Sequence, residues 1–172
     1  MGLDISTFRE LDTLSRITVA DSFVVKSNKI GSASGEAKLY VGHDSSATWN
    51  FFGEPGFQIS CFIRKIDLLT LLIDLKSEYF KPTQPYRNAD TDVLQMLWLE
   101  RYEKIQSFCE ISWFECFEQG QIRGGRVYIK SPSDSFKLLR EVSLPHLTFI
   151  SITKFKDHLG HFHYGIIPYC SE

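Results

Sequence analysis

Two hydrophobic periods alternate along this chain, and together they restrict it to a mixed fold. Leu68, Leu71, Leu72 and Leu75 recur at the spacing of one helix face, with Lys76 and Glu78 on the opposite side. Asp67 stands where an N-cap would, with Ile66 and Leu71 placed as a hydrophobic staple, so the spacing predicts a helix over 67–79. Segments on either side alternate with a period of two, the pattern of half-buried strands. A leucine stripe must bury against something, and those strands supply the surface.

The remaining elements follow from the same two periods. Phe8, Leu11 and Leu14, with Thr7 and Glu10 as a capping box, predict a short helix over 6–15. Alternation over 17–26 predicts a strand whose apolar face is interrupted by Asp21. Strands are expected at 36–42, 48–52 and 57–64, the last two joined by Gly53-Glu54-Pro55-Gly56. Four strands with short links predict an antiparallel meander. Beyond a loop at 81–91, the pattern gives a helix at 92–105, strands at 108–118 and 126–130, and a short helix from Ser133 ending before Pro145. A hairpin of 146–155 with 161–169 closes the chain. The fold expected is α+β: a single domain spanning 1–172, with a twisted, mainly antiparallel sheet of about eight strands carrying two to four helices.

Composition narrows the function classes. The 172 residues are 43% hydrophobic and 23% charged, with a net charge of −2. That balance supports a packed core and removes the general electrostatic argument for nucleic-acid binding. No apolar run approaches the roughly 18 residues of a membrane helix, and the first residues lack a secretory pattern, so a cytoplasmic protein off the membrane is expected. Cys61, Cys109, Cys116 and Cys170 form no C-x-x-C pair and read as reduced, mostly buried thiols.

Charge is unevenly spread. Residues 67–118 carry ten acids against five bases, and residues 119–156 carry seven bases against two acids. Such a dipole can steer a charged partner, or the two stretches can neutralise each other by packing side by side. The acidic stretch, through Glu110, Glu115 and Glu118, and the 81–91 loop, through Tyr86 and Arg87, are candidate contacts for another protein or a second copy of this chain.

Two constellations bear on catalysis. Asp21, then Glu36 and Lys38 as Glu-x-Lys on an adjacent strand, resembles the core of the PD-(D/E)xK nucleases. There the carboxylates hold a divalent ion and the lysine helps activate water. The proline of that pattern is absent before Asp21. His161 and His163, two apart, would project from one strand face as ligands for one metal, with His146 on the paired strand as a third. His146-Leu147-Thr148 also resembles one half of the paired His-x-Thr signature of two-histidine phosphoesterases; a matching second half is missing. Because each catalytic set is incomplete, the expected function is a non-catalytic protein-binding module, an adaptor, inhibitor or immunity-type protein without a cofactor. A metal-dependent hydrolase or nuclease is the alternative.

Overall fold

The computed structural model describes residues 4–20, 22–25, 37–81, 91–119 and 124–170, with backbone alone at 91–93. A short 3-10 turn, Ile5–Thr7, precedes β1 (Arg9–Thr18), β2 (Leu39–His43), α1 (Ser46–Phe52), β3 (Gln58–Arg64), α2 (Lys65–Asp74) and α3 (Lys76–Phe80). Then come α4 (Thr91–Gln106), β4 (Ile111–Glu118), β5 (Arg126–Lys130), α5 (Asp134–Val142), β6 (Thr148–Lys156) and β7 (Phe162–Cys170). The fold is α+β. Among the described residues seven strands form one sheet, in the order β1-β6-β7-β3-β4-β5-β2. Every neighbouring pair is antiparallel except β3 with β7. The edge strands β1 and β2 come together at a shallow pocket lined by Ser15, Arg16, Ile17, Thr18, Tyr40, Val41 and Gly42, so the sheet curls almost to closure.

The expected helix over 6–15 is instead β1. Its register on β6 shifts between Glu10 and Asp12 and again between Leu14 and Ile17. Leu14 and Ile17, three apart, both pack against the core. A bulge restores a common face after an odd number of residues, and so imitates helical spacing. The strand predicted at 17–26 ends at Thr18; a turn follows, with Phe23 N–H donating to Ala20 O and both Phe23 and Val24 buried.

The predicted strand at 48–52 is the helix α1. Ser45 Oγ accepts from Thr48 N, and Thr48, Phe51 and Phe52 are buried at helical spacing. Gly53, at φ 108, ends the helix in a conformation that favours glycine. The meander is therefore replaced: β2 pairs with β5 and β3 with β4 and β7.

The leucine helix starts earlier than expected and breaks at Leu75 (φ −86, ψ −3) into α2 and α3. Asp67 makes no cap; its carboxylate takes Arg64 Nε at 2.8 Å. Leu68, Leu71, Leu72 and Leu75 are fully buried. They join Cys61, Ile63, Phe114, Cys116, Ile129, Ile150, Ile152 and Ile166 from one sheet face. The α5 helix starts as expected, Ser133 Oγ accepting from Phe136 N at 3.2 Å. Cys61 and Cys116 are buried, Cys109 is exposed, and all four cysteines are free thiols.

The other sheet face carries a second, aromatic cluster. Phe62, Trp113, Phe155 and His163 meet beneath Phe8, which the N-terminal segment lays across them. Gly165 makes room for it, since a Cβ there would lie 2.8 Å from Phe62 Cζ. Helices and N-terminal segment thus cover opposite faces of one sheet.

Candidate functional site

Asp21, Glu36, Tyr86 and Arg87 lie outside the described residues. Lys38 is half-buried beside the sheet edge, its Nζ 4.4 Å from the centroid of the Tyr128 ring.

The three histidines do not converge. His146 precedes β6, exposed at φ 64, with its N–H donating to Val19 O. His161 and His163 stand at the other end of β6, about 25 Å away at the rise of a nine-residue strand. There the two imidazoles share one carboxylate. His163 Nε2 lies 2.8 Å and His161 Nδ1 3.7 Å from Asp157 Oδ2. Among the described residues no three His, Cys, Asp or Glu side chains are arranged to hold a metal ion.

Asp157 instead anchors a hydrogen-bonded chain. Its Oδ1 accepts from Leu159 N and His161 N, each at 2.9 Å, which shapes the turn between β6 and β7. Its Oδ2 accepts from His163 Nε2, and His163 Nδ1 lies 3.0 Å from Ser60 Oγ. In the tautomer that carries its proton on Nε2, Nδ1 accepts the serine hydroxyl. Hydroxyl, imidazole and carboxylate stand here in the order used to activate a serine. The surroundings argue for a fastening. The Phe8 ring stacks on His163 at 4.9 Å and Trp113 meets its edge at 5.3 Å, leaving the residue 7% exposed. Ser60 sits within β3, an interior strand flanked by β4 and β7. Such a strand spends its amides on its neighbours, away from any developing oxyanion. The chain clamps the hairpin to the sheet.

The His163 hydrogen bond, helped by the Leu159 and His161 amides, holds the Asp157 carboxyl down at about 2. A carboxylate favoured by the folded state contributes fully above its ordinary pKa near 3.8, and that contribution is lost as pH falls toward 2. Urea midpoints of the wild type should therefore fall from pH 5 to pH 2 more steeply than those of Asp157→Asn; equal slopes would mean that this hydrogen bond does not couple to stability.

The three acidic candidates are also dispersed. Glu110 precedes β4 and is exposed. Glu115 is exposed on the aromatic-cluster face, its Oε2 2.6 Å from Gln58 Nε2. Glu118 is only 9% exposed, and its Oε1 accepts from Gly56 N at 3.3 Å. Glu110 and Glu118 are about 26 Å apart at strand rise, and the odd spacing of Glu115 and Glu118 puts those two on opposite faces, so the three make no common patch.

A different surface emerges. Helices α2 and α4 run antiparallel, tied by Lys65 Nζ to Gln106 O at 2.9 Å and by Trp98 Nε1 to Leu72 O at 2.7 Å. Their outer sides expose Ile66 (55%), Ile73 (56%), Met96 (70%) and Leu99 (56%). Half-buried Leu69 and Tyr102 pack against the core from the same two helices. The exposed acids Asp74, Glu100 and Glu103 lie on the same two helices, Glu103 on the line of Met96 and Leu99, and the exposed Lys76 stands beside Ile73 and Asp74. A sequence signal exists: residues 66, 68, 69, 71, 72, 73 and 75 are all Ile or Leu, more than one buried stripe can absorb. No helix among the described residues is long and apolar enough to cross a membrane. The chain matches no protein-family model, no curated protein and no solved structure, so function has to be argued from these surfaces and this chemistry.

Proposed function

We propose that this chain is a non-catalytic protein-binding module of the adaptor, inhibitor or immunity type, and that it docks its partner on the outer face of α2 and α4. One observation carries the reading: among the described residues, four of the seven exposed large hydrophobic side chains lie on this helix pair, Ile66, Ile73, Met96 and Leu99. Isolated exposed apolar side chains are ordinary, whereas a cluster rimmed by polar residues marks a contact surface. Three exposed acids against the exposed Lys76 bias the partner's chemistry. Asp74, Glu100 and Glu103 favour an apolar segment flanked by lysine or arginine, and would steer it during encounter.

The test is native mass spectrometry of the untagged protein isolated at low salt from its own host. A second protein retained in fixed ratio, released by raised salt and rich in Lys or Arg at the contact, is the expected result. A homodimer that covers this same face would replace the heterologous partner by a second copy. A monomer at every salt concentration would overturn the reading.

A further inference from the structure

Away from the helix pair, the turn end of the β6–β7 hairpin meets the N-terminal segment around a pocket of about 250 Å³, lined by Thr7, Arg9, Lys156, Asp157, His158 and Gly160. Arg9 and Lys156 are direct cross-strand partners in the β1–β6 register, so two cations face each other across one ladder position. Like charges so placed repel and destabilise the pair. Among the described residues no carboxylate forms an ion pair with either of them. Asp157, the acid in the wall, is turned inward: its side chain is 3% exposed, and both oxygens are already accepting hydrogen bonds. The pocket therefore holds more positive charge than it neutralises, at a position the strand register imposes.

We infer that this pocket binds a phosphate-monoester dianion, held between the Arg9 guanidinium and the Lys156 ammonium. A guanidinium presents a planar fork to two oxygens of a tetrahedral oxyanion, and an ammonium acts as a compact point charge on a third. A tetrahedral oxyanion offers two oxygens to the guanidinium and a third to the ammonium, which the two oxygens of a carboxylate do not. The exposed Phe162 ring is the register partner of Lys156 and is 47% exposed. Lys154 Nζ lies over this ring at 4.4 Å from its centroid and Lys156 Nζ at 5.8 Å, and the part of the ring left exposed next to Lys156 is where an aromatic group carried by the ester can stack. The site is independent of the α2–α4 face: either can fail without the other.

Calorimetric titration at low ionic strength tests this with two probes, inorganic phosphate and AMP. Both should bind the wild type. Affinities within about threefold of each other would identify phosphate alone as the ligand, and a tighter AMP would add stacking on Phe162. Arg9→Gln and Lys156→Gln should each weaken phosphate at least about tenfold. Lys137→Gln, an exposed lysine on α5, should leave it unchanged. Melting supplies a second readout of opposite sign. Without phosphate, Lys156→Gln should melt about 1–3 °C above the wild type, because the cross-strand repulsion is gone. With about 20 mM phosphate the wild type should gain stability and the variant should not. The site is refuted if neither probe binds, or if Lys137→Gln weakens phosphate as much as Lys156→Gln does.

Discussion

The Ile73→Glu/Leu99→Glu double variant should lose partner affinity by about 100-fold or more while keeping its melting temperature. Both side chains are more than half exposed in the free protein, so replacing them removes little core packing. Glutamate is also a good helix former, and surface changes of this kind stay within about 0.5 kcal/mol. In the complex the balance differs. Burying the exposed part of each side chain contributes about 1–2 kcal/mol at about 25 cal/mol per Å². The introduced carboxylates must be desolvated beside Asp74, Glu100 and Glu103, the exposed acids of these two helices. A loss of about 3 kcal/mol corresponds to about two decades of affinity. Leu159→Glu, at the exposed hairpin turn, is the control and should bind like the wild type. Equal retention of the partner by the double variant and the wild type would remove this helix face from the mechanism.

Legibility of the fold varied with the range of the interaction that decides each element. The α5 helix and the β6–β7 hairpin were readable because their signals are local. Ser133 caps, Phe136, Leu139 and Val142 repeat at helical spacing, and Asp157 closes a short turn with its own neighbours. The first strand was misread because its bulges are set by pairing with β6, far along the chain. Helix α1 was misread because Thr48, Trp49, Phe51 and Phe52 favour strands intrinsically, and burial against Tyr164 overrides that preference. Strand order was out of reach for the same reason: β2 beside β5 and β3 parallel to β7 are non-local pairings that no local pattern encodes.

The candidate sites divide in the same way. His163 drew notice through its spacing from His161, yet its role depends on Ser60, 103 residues away, and on Phe8 stacked upon it. The acidic candidates were grouped by position along the chain, whereas strand rise separates Glu110 from Glu118 and strand pairing commits Glu115 to Gln58. The apolar helix face was partly visible as a surplus of Ile and Leu. Only the placement of α4 beside α2 adds Met96 and Leu99 to the exposed Ile66 and Ile73 in one helix layer.

The largest expected effect on stability is at Trp98, where three helices meet. The α2 helix ends at Asp74, so Leu72 lies in its last turn, where carbonyls run short of amide partners. The Trp98 indole N–H donates to Leu72 O at 2.7 Å and fills that role from α4. The same ring stacks on Tyr102 at 5.4 Å, meets Phe80 edge-on at 5.9 Å and carries Lys76 Nζ at 4.7 Å above it. Trp98→Ala removes the ring, the hydrogen bond and the packing between α2, α3 and α4, for a cost of about 3–5 kcal/mol. Domains of this size are stable by only about 5–15 kcal/mol, so the urea midpoint should fall by a large fraction of its value. Trp98→Phe separates the two contributions. It keeps much of the ring volume but strands the Leu72 carbonyl, which should cost about 1–3 kcal/mol. If Trp98→Ala costs no more than Trp98→Phe, the indole contributes chiefly its hydrogen bond, and the helix layer is held by the leucines of α2 rather than by this ring.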